Sequence, residues 1–125
     1  QMNNARDIQS FEQGLSLVHA PGLSINYGDA EGHIAWWAAA RFTERGQGIN
    51  SWTILDGSKE EHAWKNYYPF EMNPRCIDPA SGYIYSANDW PDDLLKYASD
   101  TNHTPLFYPG YYKPQYRADR IRTLL

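Results

Sequence analysis

A short apolar run, Ile34–Ala39, follows a segment that alternates apolar and polar residues, Leu23–Tyr27. Between them, Asp29–Gly32 has the composition of a turn, with Gly32 at a position that tolerates positive φ. The pattern predicts a β-hairpin. Because the second arm is apolar on both faces, we expect it to lie between two layers of the protein rather than face water.

A helix is predicted before the hairpin, within residues 5–18. Its apolar residues recur at spacings of three, four and three, which places them on one face of a helix: Ile8, Phe11, Leu15 and Val18. Pro21 and Gly22 mark its end. Ten Tyr, five Trp and eight Pro favour strands and loops for much of the remaining chain.

The segment from Tyr68 to Pro91 is interrupted by prolines and then alternates over Tyr83–Ala87, which predicts a strand. Asn88 follows that strand directly. Strand ends that lead into irregular backbone are common places for functional groups, so Asn88 is a candidate site residue. The alternative is that Asn88 and Asp89 were selected for turn formation alone.

The other segments have weaker patterns. Residues 41–66 contain several glycines and charged residues and are predicted to be mostly loop. A short helix is expected over Leu94–Ser99, with acidic residues at its start. The last ten residues, Tyr116–Leu125, have the composition of the first turns of another helix.

Charge and composition exclude several classes of function. The net charge of -4 and the lack of a basic run argue against nucleic-acid binding. No apolar run approaches the roughly 20 residues of a membrane-spanning helix. The single cysteine, Cys76, excludes an intrachain disulfide, and the four histidines show no metal-ligand spacing. No metal site or cofactor is predicted, and 125 residues fit one domain, 1–125.

Several motifs together resemble a known family. Residues 69–74 read Pro-Phe-Glu-Met-Asn-Pro and residues 81–84 read Ser-Gly-Tyr-Ile, followed by the turn at Asn88. Upstream, residues 29–34 read Asp-x-x-Gly-x-Ile, and downstream residues 118–121 read Ala-Asp-Arg-Ile. In this order and at this spacing, the chain resembles the penicillin acylase (penicillin amidase) family of N-terminal-nucleophile hydrolases. His33 stands where the family usually has Asn.

The resemblance implies an α+β fold, a partial αββα sandwich of antiparallel strands with flanking helices. It also implies hydrolysis of a linear amide through an acyl-enzyme. In the family, the first residue of a self-processed chain, usually Ser, is the nucleophile, and its own α-amino group, with an ordinary pKa of about 8, is the base. Asn88 matches the Asn whose side-chain amide stabilises the oxyanion, and Asp89 stands where a second Asn often occurs.

Two further site residues follow from the resemblance. Arg120 matches the Arg of the Ala-Asp-Arg segment, which holds the active-site network in the family; the alternative is a surface arginine that pairs along its helix. Leu23 aligns with a position that helps to form the acyl pocket in some members; the alternative is an ordinary core leucine. Some members bind calcium, and Asp100 is the nearest candidate ligand, but the alignment there needs a gap.

Gln1 has no hydroxyl or thiol and cannot be an N-terminal nucleophile. We therefore expect the chain to be an internal fragment of a catalytic β-chain whose partners are the rest of the precursor and a small N-acyl substrate. The resemblance implies a bacterial periplasmic or secreted enzyme. We also expect the isolated chain to associate with a second copy through exposed strand edges and the apolar face of Ile34–Ala39.

A function of another class is an aromatic-rich, non-catalytic binding module. In that alternative, the tryptophans and tyrosines would form a platform for a sugar or another ring-bearing ligand: Trp36, Trp37, Trp64 and Trp90.

Overall fold

The computed structural model describes residues 2–50, 53–89 and 115–125, and within these ranges the chain is a small α+β protein. The α-helices within the described ranges are α1 (Ile8–Leu15) and α2 (Tyr116–Leu124). Its strands, in chain order, are β1 (Leu23–Gly28), β2 (Ile34–Ala39), β3 (Thr43–Glu44), β4 (Asn66–Tyr67) and β5 (Arg75–Ile77). They form an antiparallel three-stranded sheet in the order β1-β2-β5 and a two-stranded antiparallel sheet of β3 and β4. Among the helices in these ranges, none has the length and apolar character needed to cross a bilayer.

Helix α1 lies inside the predicted range and is shorter at both ends. It begins after Asp7, whose side chain accepts a hydrogen bond from the backbone N–H of Ser10 at 2.7 Å. The Ser10 hydroxyl in turn accepts from the N–H of Asp7 at 3.3 Å, which completes a reciprocal cap. The predicted apolar face is confirmed, since Leu15 is fully buried and the other three residues pack against the same cluster.

Gly14, in the last turn of α1, allows the chain start to approach the helix closely. A Cβ at this position would lie 2.8 Å from Met2 Cγ and 3.0 Å from the Met2 backbone nitrogen. The short 3-10 helix Met2–Asn4 can therefore pack on α1 only because position 14 has no side chain.

The predicted hairpin is confirmed. Strands β1 and β2 pair antiparallel from Leu23↔Ala39 to Gly28↔Ile34. At the tip, Asp29 Oδ1 accepts the backbone N–H groups of Glu31 (3.0 Å) and His33 (2.9 Å). Gly32 adopts φ 95°, the left-handed region for which the sequence predicted glycine.

Strand β2 is the centre of the sheet and is covered on both faces, as predicted. Trp37 packs with Leu15 of α1 on one face, whereas Trp36 packs with Cys76 and Ile84 on the other. The expectation that Ile34–Ala39 offers an exposed apolar face is wrong, because residues 35–39 are all buried. The cause is the pairing of β2 with strands on both sides and the packing of further chain over both faces.

The proline-interrupted connection contains a strand that the sequence did not predict, β5, which pairs with β2 as Trp36↔Cys76. Just before it, Asn73 is buried, and its Nδ2 donates to the carbonyl oxygens of Ala38 (3.0 Å) and Ala40 (2.8 Å). These bonds fix the end of β2 against the connection. Asn73 is therefore a structural residue of the Pro-Phe-Glu-Met-Asn-Pro motif.

The predicted strand Tyr83–Ala87 is absent: the described structure assigns no strand to these residues. The alternation of side chains is nevertheless real. Tyr85 and Ala87 are buried in a cluster with Ala118 of α2, and Ile84 packs in the opposite cluster with Trp36. Segment 83–87 is thus covered from two sides by side-chain packing rather than by strand pairing.

Three further predictions concern the loop at residues 41–66, the C-terminal helix and the helix Leu94–Ser99. The described part of residues 41–66 is largely irregular, as expected, and contains the short β3, the 3-10 helix Glu60–His62 and the first residue of β4. The C-terminal helix is confirmed as α2. The predicted helix Leu94–Ser99, as well as Asp100, lies outside the described residues.

Candidate active site

Asn88 lies in a tight bend directly after segment 83–87. Its backbone has φ 61°, a left-handed conformation that Asn tolerates better than most residues. Asp89 stabilises the bend, because its Oδ1 accepts the backbone N–H of Ala87 at 3.2 Å. Non-glycine residues in this conformation concentrate at functional sites, although turn formation alone also accounts for the choice of Asn and Asp.

Arg117 of α2 holds the Asn88 side chain. Its Nη2 donates to Asn88 Oδ1 at 2.7 Å and also to the carbonyl oxygen of Ala87. A guanidinium has only donors, so the atom that faces it must be the amide oxygen. The Nδ2 group consequently points elsewhere, and among the described residues it has no hydrogen-bond partner.

Packing between α2 and segment 83–87 places Arg117 at this bend. Ala118 is buried against Tyr85 and Ala87, with Tyr83 and Ile121 at the margin of the same cluster. One turn further along, Arg122 Nε donates to the Tyr85 hydroxyl at 2.7 Å. Apolar contact and hydrogen bonds from two arginines therefore join the helix to segment 83–87 and to Asn88.

This geometry suits the stabilisation of developing negative charge. The Asn88 side chain is exposed at the surface, its oxygen is bound, and its N–H donors are left for a group outside the described residues. A donor whose orientation is fixed before the reaction requires little reorganisation when an oxyanion forms.

The structure places the residue after Leu23 in contact with segment 83–87, whereas no hydrogen bond joins Arg120 to Asn88 within the described ranges. Leu23 begins β1 and is 41% exposed. Its neighbour Ser24 contacts Ser86, two residues before Asn88, with the two hydroxyl oxygens 3.0 Å apart. Arg120 is exposed on α2 and has no hydrogen bond or ion pair with another described residue. Its predicted role stays a prediction.

Sequence reasoning did not single out Arg117. The cue was present in the sequence: Arg117 precedes Arg120 by three residues, nearly one helical turn, and is adjacent to the Ala118 that packs on segment 83–87. Only the packing of α2 decides which arginine reaches Asn88.

The comparisons with known proteins agree with the motifs. A family model described as penicillin amidase matches residues 1–125. The chain belongs to the penicillin amidase family. Penicillin acylase 2 proenzyme of Pseudomonas sp. (strain SE83) is 35% identical over 96 residues, which is 75% of this chain and 11% of that protein. Penicillin G acylase of Escherichia coli is 35% identical over 85 residues, 66% of this chain and 10% of that protein.

Both relatives are penicillin acylases by name, and the chain spans about a tenth of their length. Membership of the penicillin amidase family is thus established for the whole matched chain, residues 1–125. Family membership does not by itself assign the activity of either relative to this chain, because most of the sequence of each relative has no counterpart here.

A second cluster of polar residues lies at the other end of the hairpin, beside a cavity of about 450 Å³ between α1, the hairpin tip and the end of β5. His33 Nδ1 lies 2.8 Å from Asp78 Oδ2, and Asp78 Oδ1 accepts the N–H of Ile34 at 3.0 Å. The hydrogen bond with Asp78, together with its negative charge, raises the pKa of His33. The bonds from His33 and Ile34 lower the pKa of Asp78.

This cluster joins the hairpin tip to β5 and has no arrangement of metal ligands. Within residues 2–50, 53–89 and 115–125, no group of three or more His, Cys, Asp or Glu side chains could hold a metal ion. His33, which departs from the usual family Asn, has a structural partner in Asp78.

The alternative of an aromatic binding platform loses two of its members. Trp36 and Trp37 are 2% and 0% exposed, so neither can stack on a ligand. Trp90 lies outside the described residues. Trp64 is 59% exposed and stands near Tyr67, with ring centroids 6.4 Å apart, so these two rings form a small exposed aromatic pair.

Proposed function

We propose that this chain is an internal part of the catalytic β-chain of a penicillin-acylase-type amidohydrolase. The enzyme removes an acyl group from an amine, as in a β-lactam side chain or an N-acyl homoserine lactone, and forms an acyl-enzyme on the way. The single observation that supports this most strongly is the fixed side chain of Asn88, with its oxygen held by Arg117. Because the chain belongs to the penicillin amidase family, we interpret the fixed Asn88 amide as a hydrogen-bond donor to the oxyanion.

In this proposal, the nucleophile comes from polypeptide outside the chain. A serine at the start of the processed β-chain attacks the amide carbon, and its α-amino group takes the hydroxyl proton. The carbonyl oxygen becomes negative in the tetrahedral intermediate and accepts a hydrogen bond from Asn88 Nδ2. The amine then leaves with a proton from the α-amino group, and water hydrolyses the ester.

Arg120 and Leu23 have supporting roles. Arg120 projects from the same helix as Arg117 and is exposed, so its charge is available to the part of the site that other polypeptide contributes. Leu23 is an exposed apolar residue near the Ser24–Ser86 contact, a position that suits one wall of an acyl pocket. The partners are a small N-acyl substrate and the remainder of the precursor.

We also propose the family's αββα sandwich for the complete enzyme, in which the three-stranded sheet is one part of the layered structure. A periplasmic or secreted bacterial location accompanies this proposal. Self-association of the isolated chain stays a prediction, and other surfaces than β2 would have to mediate it, because β2 is buried.

Covalent trapping tests the proposed function. Full-length precursor is allowed to process, mixed with penicillin G or an N-acyl homoserine lactone, quenched rapidly and analysed by intact-protein mass spectrometry. We expect an adduct of the acyl mass on the first residue of the β-chain, and that residue to be Ser, Thr or Cys. Hydrolysis at full rate from a chain whose first residue has no hydroxyl or thiol would refute the proposal.

A further inference from the structure

We propose that a contact at the hairpin tip holds the end of β5 in place in acid and weakens as the pH rises, which loosens one wall of the cavity beside it. Three residues form this tip contact: His33, Ile34 and Asp78. Both His33 and Asp78 line the cavity. None of the three residues belongs to the Asn88 site, so the proposal is independent of the proposed function.

The tip contact extends the pairing of β2 with β5 by one residue. The last strand pair at this end is Ala35↔Ile77. Beyond it, the Asp78 N–H donates to the Ile34 carbonyl oxygen at 2.9 Å, and Asp78 Oδ1 accepts the Ile34 N–H at 3.0 Å. Strand β5 has three residues and lies at the edge of the described three-stranded sheet, so this end of the pairing opens locally at little cost in free energy.

The backbone of Asp78 is strained. Its φ is 45°, in the left-handed region that residues other than glycine rarely adopt. A residue keeps such a conformation only where the surrounding contacts hold it. Besides the two bonds with Ile34, Asp78 Oδ2 lies 2.8 Å from His33 Nδ1. A weaker bond to His33 therefore removes part of what holds Asp78 in this conformation.

The charge of His33 makes the contact depend on pH. The hydrogen bond with Asp78 and the negative charge of that carboxylate raise the pKa of His33, and the charges of Asp29 and Glu31 act in the same direction. Below the ordinary histidine pKa of about 6.5, the imidazolium donates a charge-assisted bond. As the pH rises through the raised pKa, the charge is lost and at most a neutral hydrogen bond remains.

Other charged groups surround His33, on the start of α1 and on the hairpin turn: Arg6, Asp7, Glu12, Asp29 and Glu31. Glu12 is paired with Arg75 of β5, with Arg75 Nη1 3.1 Å from Glu12 Oε1. Carboxylates and guanidinium groups ordinarily titrate outside the range from pH 5 to pH 9, whereas histidine titrates within it. His33 is therefore the group around this cavity whose charge changes in that range.

The size of the effect follows from the exposure of the pair. The side chains of His33 and Asp78 are 45% and 46% exposed, so solvent screens their attraction. Exposed ion pairs of this kind shift a local equilibrium only roughly two- to fivefold. We therefore expect more frequent opening of the tip contact at high pH, within a protein that stays folded.

Amide hydrogen exchange of the full-length protein that contains this chain tests the proposal at pH 5 and pH 9. Mass spectrometry with fragmentation to single residues gives the protection of the Ile34 and Asp78 N–H groups, corrected for the intrinsic exchange rate at each pH. We expect roughly two- to fivefold lower protection at pH 9. Ala38, whose N–H donates to the Pro74 carbonyl oxygen at 2.9 Å near the other end of β2, should keep its protection.

Variants identify the group that titrates. His33→Asn, which introduces the residue that the family usually has here, and Asp78→Asn, which keeps an acceptor for the Ile34 N–H, both remove the charge pair. Each should make the protection of Ile34 the same at both pH values. His19→Asn removes an exposed histidine elsewhere and should behave as the wild type does. In the wild type, 1 M NaCl should reduce the effect of pH by screening the pair.

The outcomes separate a local contact from a general effect of pH. Lower protection of Ile34 and Asp78 at pH 9 in the wild type and in His19→Asn, abolished in His33→Asn, supports the proposal. Equal protection at both pH values in the wild type, or the same effect of pH in His33→Asn, overturns it. An equal fall in protection at Ala38 also overturns it, because the whole sheet would then be loosened. The proposed function stands or falls separately, on the Asn88 site.

Discussion

Ser24 and Ser86 meet through their hydroxyl groups, with the two oxygens 3.0 Å apart, although they are 62 positions apart in the sequence. The same Ser24 oxygen accepts the indole N–H of Trp36 at 2.5 Å. A chain of hydrogen bonds therefore runs from buried Trp36 of the central strand to segment 83–87, which directly precedes Asn88. It joins the core of the sheet to the candidate site.

Ser24→Ala is expected to destabilise the protein by about 1–3 kcal/mol, because it leaves the buried Trp36 N–H without its acceptor. Ser86→Ala is the matched control. It removes an exposed hydroxyl while Ser24 still accepts from Trp36, and its effect should be within about 0.5 kcal/mol. Denaturant unfolding of both variants measures the difference, and equal effects would contradict the account.

Asn73 allows a second test, of the motif that joins the connection to β2. Asn73→Ala leaves two carbonyl groups, of Ala38 and Ala40, without their donor and should cost about 1–3 kcal/mol. Asn73→Asp should cost more at pH 8 than at pH 5, because a buried carboxylate facing two carbonyl oxygens is favoured only when protonated. Asn26→Ala, an exposed position on β1, is the control and should be nearly neutral. Similar unfolding of the Asp variant at both pH values would refute the assigned geometry.

The His33–Asp78 pair predicts a dependence of stability on pH. The pKa of His33 is raised in the folded protein, so its contribution is complete below the ordinary histidine pKa of about 6.5 and is lost as pH rises through the folded value. The pKa of Asp78 is lowered, so its contribution is present above the ordinary value of about 3.9 and is lost as pH falls. The pair therefore stabilises the folded protein most between about pH 3.9 and about pH 6.5, the ordinary pKa values of Asp and His.

The measurement is the melting temperature of the wild-type protein and of His33→Asn between pH 5 and pH 8. The wild type should lose its advantage over the variant as pH rises. Asp78→Asn, which keeps an acceptor for the Ile34 N–H, should show the same flattened profile. Parallel curves for the wild type and His33→Asn would show that the pair contributes nothing.

The hairpin and α1 could be predicted because their patterns are local. The apolar run of Ile34–Ala39 requires cover on both faces, and the stripe on α1 requires one buried face; both requirements are met in the structure. Strand β5 could not be predicted, because three residues between prolines carry no periodicity. Its pairing with β2 is decided by contacts with residues about forty positions earlier.

The candidate site was predictable in part. Asn88 was selected for following an alternating segment, and its side chain is held in place, but by a neighbour that no local pattern reveals. Segment 83–87 alternates because it is covered by α2 on one side and by the Trp36 cluster on the other, which a strand pattern cannot distinguish from a true strand. Contacts of this range depend on the packing of the whole chain.

Leu23 predicts an effect on substrate choice. If it forms part of the acyl pocket, Leu23→Ala should lower kcat/KM for a bulky aromatic acyl group about tenfold or more relative to a short one, because a few buried methyl groups are worth about 1–3 kcal/mol. Competition between two N-acyl substrates in the full-length enzyme gives this ratio directly. Leu17→Ala, an exposed leucine just after α1, is the control. An unchanged ratio would return Leu23 to an ordinary surface position.

The central claim is that the Asn88 amide donates to the oxyanion, and Asn88→Ala in the full-length precursor tests it most directly. The variant should still be processed, which gel analysis shows, while kcat for amide hydrolysis falls about a hundred- to a thousandfold. The variant Asn26→Ala controls for loss of an exposed amide elsewhere. A processed Asn88→Ala enzyme that hydrolyses its substrate with wild-type kcat would contradict the account.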